Sequence, residues 1–377
     1  MTELSNELIA IRDTFARFSD EQIAPRAEAI DEAGEFPREM FQAIGDLGFF
    51  GMRYPEEVGG LGLGLFAFCK AVEEIARGSL SVAGVVSMQA MMGTNFVHKL
   101  GTADHHERLL KPALEGKKIG TICITEPNAG SDLGAISTSA VEVDGGYKLN
   151  GQKMWVTLAP VADFFTVFAR AGEDKKLTIF LLEKEFEGLD VGRPIHKMGV
   201  RAIPTSELAI SDCFVPAENR LGEIGAGELE LRKILAQIRI MTGSLAVGCA
   251  RAALADATRY AAERQQFGRP IGKFQAIQMK LAEMATDLKA SELLVEHAAT
   301  LFDDGKPHHK EAAMAKLFAT EAALDICDKA VRVYASYGFA MEYPVQRHLR
   351  DIRFTLIGGG TSEILKAIIA HEVQAEG

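Results

Sequence analysis

Cysteine is scarce and scattered: Cys69, Cys123, Cys213, Cys249 and Cys327 are an odd number, tens of residues apart, with no C-x-x-C pair. That excludes a disulfide framework and offers no zinc-ligand spacing. No apolar run approaches the roughly 20 residues that a membrane-spanning helix needs. Residues 1–20 mix charges into an amphipathic pattern, with neither the apolar core of a signal peptide nor the Arg/Ser-rich composition of a transit peptide. The expected setting is a reducing cytoplasm, with no membrane as partner. Basic residues are outnumbered, 41 against 52 acidic, and the net charge of −11 disfavours a broad polyanion-binding surface. Nucleic acid is not expected as a partner, although a local basic pocket for one nucleotide-bearing ligand is compatible with this balance. Internal repeats and low-complexity linkers are also missing, so the domains are expected to pack closely.

What is present suits a large globular chain: 377 residues, 47% of them hydrophobic, enough for about two or three domains. Leu4, Leu8, Ile11, Phe15 and Phe18 recur at three- and four-residue spacing and predict a core-facing helix up to the neighbourhood of Pro25. Further helical stretches cover residues 40–47, 66–76 and 105–114, interrupted by the glycine-rich turn at 58–64. The period then changes. Val141 and Val143 alternate with polar residues, Asp144-Gly145-Gly146 supplies turn chemistry, and Tyr147 and Leu149 resume the alternation, which predicts a β-hairpin. Strands are also expected at 164–169, 177–182 and 208–215. Long helices are expected over residues 228–266, 274–301, 310–334 and 362–373. The expected fold is mostly α with a central β-domain: an N-terminal helical domain (1–118), a middle β-barrel (119–227) and a C-terminal four-helix bundle (228–377).

Architecture alone names no chemistry. The segment Thr125-Glu126-Pro127-Asn128-Ala129-Gly130-Ser131-Asp132 resembles the T-E-P-x-A-G-S-D loop of the acyl-CoA dehydrogenase family. It is followed at family-like spacing by Asn150-Gly151-Gln152-Lys153-Met154-Trp155-Val156-Thr157, Lys197-Met198-Gly199, Arg264-Gln265-Gln266-Phe267-Gly268, Glu342-Tyr343-Pro344, Arg350-Asp351 and Gly360-Thr361-Ser362-Glu363-Ile364. Each is weak alone, but their joint order covers essentially the whole chain.

The resemblance implies FAD as cofactor and an acyl-CoA thioester as substrate, with electrons passed to an electron-transfer flavoprotein or similar acceptor. It implies that Ile122, Ile124, Thr125, Gly130, Ser131, Trp155 and Thr157 face the flavin, with Ser131 also on the substrate side. Trp155 is the only tryptophan, and a partly buried packing role is its plainer reading. Arg264, Gln266 and Phe267 are expected to end the long first bundle helix, where the helix dipole alone favours a cation. In the family this segment reaches the adenosine diphosphate half of a neighbour's FAD, which implies a homotetramer. Arg332, Ser336, Thr361 and Glu363 match further cofactor contacts, and Arg239 matches an arginine near the CoA moiety. The chain departs from the family at Arg332-Val333-Tyr334-Ala335-Ser336-Tyr337-Gly338-Phe339, where the family has Gln and then two glycines.

A second departure concerns the catalytic base. The family keeps a glutamate either immediately before its Gly-Thr-Ser or one residue before the helix arginine, and here those positions are Gly359 and Ile238. Neither accepts a proton. Residues 82–97 offer no carboxylate, and Met88, Met91 and Met92 suit either an acyl-pocket floor or an ordinary core. Gly359 and Gly360 remain as substrate contacts, because a backbone N–H can bond a thioester carbonyl. Three readings follow: a dehydrogenase with its base elsewhere, a base-independent enzyme such as the family's sulfinyl-acyl-CoA desulfinase branch, or a catalytically silent subunit beside an active homologue. No metal is implied.

Overall fold

The computed structural model describes residues 6–376, so Leu4 lies outside the described residues. The amphipathic N-terminal stretch forms α1 (Asn6–Phe18), which buries Phe15 and continues through a π-turn (Ser19–Ile23) into a single 3-10 turn (Ala24–Arg26) containing Pro25. The remaining N-terminal helices are α2 (Ala27–Ala33), α3 (Arg38–Asp46), α4 (Gly64–Gly78), α5 (Leu80–Met88), α6 (Asn95–Leu100), α7 (Ala103–His105) and α8 (Lys111–Leu114). The turn before α4 requires glycine at position 60, where a Cβ would lie 2.0 Å from the Tyr54 carbonyl oxygen.

Eight strands follow: β1 (Gly120–Cys123), β2 (Ser139–Val143), β3 (Gly146–Thr157), β4 (Phe164–Ala171), β5 (Lys176–Glu183), β6 (Leu189–Val191), β7 (Thr205–Pro216) and β8 (Arg220–Leu221). The hairpin turn is Asp144-Gly145, and Gly146 already opens β3. The sheet order is β6-β7-β3-β2-β4-β5-β8, with β1 joining β2 along one side of β4. Among the described residues no ladder joins β6 to β8, so the expected barrel is a sheet with two free ends wrapped around its own core. Both faces of β4 are buried. Phe165, Val167 and Ala169 fill the inner cluster, whereas Phe164 and Phe168 join the cluster shared with the helices, and this alternation docks the β-domain onto the helical domains.

The C-terminal part holds α9 (Gly227–Glu263), a small hairpin of β9 (Gln265–Gln266) and β10 (Arg269–Pro270), then α10 (Gln275–Asp303), α11 (His309–Tyr334), α12 (Pro344–Ile352) and α13 (Ser362–Glu376). The helix expected to run to residue 266 stops at Glu263. Arg264 is extended (φ −69°, ψ 125°), and Phe267 and Gly268 take left-handed φ values of 50° and 77° that close the hairpin. α12 is an additional short helix that the sequence reading did not contain. Two helical stretches, Leu80–Leu100 and Gly227–Glu263, do reach membrane-spanning length and apolarity, but their apolar windows are 89% and 83% buried within the protein. They are core helices.

Ion pairs fasten the N-terminal domain to the bundle. Lys70 on α4 pairs with Glu73 (3.0 Å) and with Glu296 on α10 (2.8 Å), and Arg251 on α9 reaches Glu73 (3.1 Å), Glu74 (2.8 Å) and Glu292 (2.9 Å). Burial pushes the Glu73 carboxyl pKa up, against the pull of Lys70 and Arg251. Removing one cation from such a network leaves buried negative charge under-compensated. Arg251→Met is expected to lower unfolding stability at pH 7 by about 3 kcal/mol, the scale for breaking a buried pair. Urea unfolding checks this, and an unchanged midpoint would show that Lys70 alone suffices.

Candidate functional site

The loop after β1 is held by one buried ion pair. Lys153 on β3 is fully buried, and its Nζ donates to Glu126 Oε1 (2.7 Å) and to the Ile124 carbonyl (3.1 Å). The same carboxylate accepts from the N–H and hydroxyl of Ser137 (2.8 and 2.7 Å) and of Thr138 (2.9 and 2.5 Å). Burial pushes the Glu126 pKa up, but the hydrogen bonds from Lys153, Thr138 and Ser137 outweigh it and bring the pKa to about 2. Glu126 therefore clamps its own loop, which leaves it unsuited to act as a base.

That clamp presents the predicted flavin-facing residues together. Met154 N–H donates to the Thr125 carbonyl (2.8 Å), joining the loop to β3. Beyond it Gly130 and Ser131 are exposed, and among the described residues their N–H groups have no protein acceptor. Ile122 is buried in β1 opposite Thr166, and Ile124 and Thr125 are half-buried. The β3–β7 register shifts between Lys153 and Val156, and at that bulge Trp155 takes φ 58° and leaves its indole 56% exposed. Thr157 is half-buried, and its carbonyl accepts from the Thr121 hydroxyl (2.5 Å).

A second group forms at the far ends of α9 and α11. The hairpin exposes Arg264, Gln266 and Phe267, the last to 93%. The Arg264 guanidinium lies over the Tyr337 ring at 5.4 Å, so the two segments meet through the tyrosine that departs from the family pattern. Tyr260 and Tyr334 stack beneath (4.0 Å), and Tyr343 links Tyr334 to Tyr337. Ala335, where the family has glycine, still adopts a glycine-like backbone (φ 54°, ψ −129°) that ends α11 and exposes Ser336. Such a conformation is costly for alanine and persists only where the surroundings enforce it. Arg332 is exposed and donates to Asp328 (2.6 Å).

The third group surrounds the turn before α13. Gly359 and Gly360 have φ values of 72° and 107°. A Cβ on Gly359 would meet Ile238 Cγ2 at 3.3 Å and Thr242 Oγ1 at 3.6 Å, so the two positions examined for a base face one another. Arg239 Nε donates to the Gly359 carbonyl (3.4 Å), and Lys316, which sequence reasoning missed, donates to the Gly360 carbonyl (2.8 Å). The signal for Lys316 was available: it lies in register with Ala312, Ala319 and Ala323 on the buried face of α11. Thr361 Oγ1 accepts from Ile364 N–H (3.4 Å), and Glu363 is exposed. Met91 is core, whereas Met88 and Met92 are partly exposed.

Three family models match in succession: the acyl-CoA dehydrogenase N-terminal domain over residues 5–117, the middle domain over 121–213 and the C-terminal domain over 226–374. Benzylmalonyl-CoA dehydrogenase of Aromatoleum aromaticum is 66% identical over 374 residues, covering 99% of each chain. Butyryl-CoA dehydrogenase from Megasphaera elsdenii superposes with a TM-score of 0.96 at 35% identity, over 99% of this chain and 100% of that one. The FAD complex of PigA superposes with a TM-score of 0.96 at 28% identity, with 100% of both chains covered. The chain belongs to the acyl-CoA dehydrogenase family, FAD-dependent enzymes that act on acyl-CoA thioesters. Its residues fit that cofactor: an exposed indole and unpartnered N–H donors on a loop bonded to the same strand suit a flavin ring, and the Arg264 guanidinium, without a carboxylate partner among the described residues, suits a pyrophosphate.

The Glu126 clamp has a pH signature. Its carboxyl moves from an ordinary 4.5 to about 2 on folding, so its stabilisation is fully present above pH 4.5 and is lost as pH falls towards 2. Glu126→Gln should flatten the loss of urea stability across that window. An unchanged acid slope would show that other carboxylates control it.

Proposed function

We propose that this chain oxidises and decarboxylates a CoA thioester carrying a carboxylate on its α-carbon, of the benzylmalonyl type. The observation that carries this reading is the meeting of Gly359 and Ile238 at one spot, with no carboxylate on either. Ordinary α,β-dehydrogenation removes an α-proton, which needs a positioned base. An α-carboxylate removes that need. FAD, when bound, supplies the acceptor for the hydride leaving the β-carbon, while the electron pair of the breaking Cα–carboxylate bond closes the Cα=Cβ double bond and CO2 departs. The 66% identity to a benzylmalonyl-CoA dehydrogenase supports the substrate class, since a malonyl thioester carries that carboxylate.

In this reading the protein binds and orients. Ile122, Ile124, Thr125, Gly130, Ser131, Trp155 and Thr157 hold the flavin ring. Arg264, Gln266 and Phe267 serve the adenosine diphosphate half of a neighbour's FAD across an interface in a homotetramer, and Arg332, Ser336, Thr361 and Glu363 add further cofactor contacts. The N–H groups of Gly359 and Gly360, which have no protein acceptor among the described residues, face the thioester carbonyl.

Two outcomes test this. Benzylmalonyl-CoA mixed anaerobically with the FAD-loaded enzyme should bleach the flavin and release CO2 in equal amounts. The same thioester without its carboxylate should react about 10²–10⁴-fold more slowly, the usual effect of a missing base. Fast oxidation of the uncarboxylated thioester, or a product that keeps the carboxylate, would refute the reading. Separately, Arg264→Glu puts negative charge where a pyrophosphate is expected and should cause FAD to be lost on gel filtration. Full retention would remove Arg264 from the cofactor site.

A further inference from the structure

Four lysine or arginine side chains are buried among the described residues: Lys70, Lys153, Arg239 and Lys316. Two are answered by carboxylates, Lys70 by Glu73 and Glu296, and Lys153 by Glu126. The other two are not. Among the described residues the side chains of Arg239 and Lys316 form no ion pair, and their only hydrogen bonds go to the adjacent carbonyls of Gly359 and Gly360. A buried cation left without a counter-charge is unfavourable, and proteins usually pair it or let it neutralise.

The surrounding charges do not resolve this. From α11, Glu321 acts on Lys316 but already accepts from the Ser362 hydroxyl (2.5 Å), and from α13 Glu363 is exposed. Across from α9, Arg239 raises the local positive potential further. Burial pulls the Lys316 pKa down to about 8, against the pull of Glu321 and Glu363, and lowers that of Arg239, while His309 is pulled down by burial, His308, Arg239 and Arg232 against Glu372. The environment is thus cationic on two helices, with two free N–H donors at the same turn.

We infer that Arg239 and Lys316 form the receptor for the free carboxylate of the substrate, and so determine that the enzyme selects α-carboxylated thioesters. Arg239 contacts the carboxylate, whereas Lys316, sealed behind Gly360, is a positioning residue that adds charge through the peptide group it holds. This rests on the proposed substrate class, but it is testable without turnover.

Malonyl-CoA is the probe, because it carries the α-carboxylate and has no β-carbon to oxidise, with acetyl-CoA as its uncarboxylated control. Each is titrated into FAD-loaded enzyme and followed by the flavin absorbance change. The wild type should bind malonyl-CoA at least about tenfold tighter than acetyl-CoA, a preference of the size one ionic contact supplies. Arg239→Gln should bring the ratio close to one. Lys316→Met should lower it several-fold without lowering Tm, because an apolar side chain replaces an unpaired buried charge. A purely structural lysine would instead lower Tm and leave the ratio alone. Equal binding of the two thioesters by the wild type, or a ratio unchanged in Lys316→Met, would overturn the inference even if Arg239→Gln fails to fold. Preferential malonyl-CoA binding without CO2 release from benzylmalonyl-CoA would sink the proposed reaction and leave the carboxylate site standing.

Discussion

Positive charge buried against a glycine turn is the constraint on which this site depends. Three helices converge on residues 358–360: α9 brings Arg239, α11 brings Lys316, and α13 begins where the turn ends. The two cations take successive carbonyls of a backbone whose left-handed φ values favour glycine. A side chain at position 359 would begin against Ile238 and Thr242. Positive potential and free N–H donors therefore arise from one packing arrangement among the described residues.

The rest of the molecule treats charge differently, which gives the turn its meaning. Glu126 and Lys153 neutralise one another while holding the loop that exposes Gly130 and Ser131. Arg251 and Lys70 are spent on fastening α4 to α9 and α10. In both places the carboxylates outnumber or match the cations, and the effect is to fix one element against another. At the glycine turn no carboxylate among the described residues pairs with Arg239 or Lys316, which fits the proposed anionic ligand.

Much of this was legible in the sequence because periodicity reports burial. The stripe of Ile11, Phe15 and Phe18, the alternation around Val141 and the proline-free stretch after Glu228 each became the expected kind of element. The short strands β1, β6 and β8 were not legible, since two to four residues carry too little pattern. The end of α9 was misplaced for a different reason. Helix propensity persists through Arg264 and Gln266, and only the left-handed pair Phe267-Gly268 folds the chain back. Site residues were legible as motifs, but their electrostatic roles were not. Lys316 looks like any lysine in an alanine-rich helix until packing buries it with no carboxylate of the described residues paired to it. Tyr337 read only as a departure from the family pattern, whereas folding puts its ring beneath Arg264.

In the proposed reaction, departure of a carboxylate replaces removal of an α-proton. The most direct measurement is the kinetic isotope effect on anaerobic flavin bleaching by benzylmalonyl-CoA carrying deuterium at the α-carbon, compared with deuterium at the β-carbon. A primary effect is expected from the β position and none from the α position, with the α-deuterium retained in the unsaturated product. A primary effect from the α position, with loss of that deuterium to water during turnover, would contradict the proposed reaction.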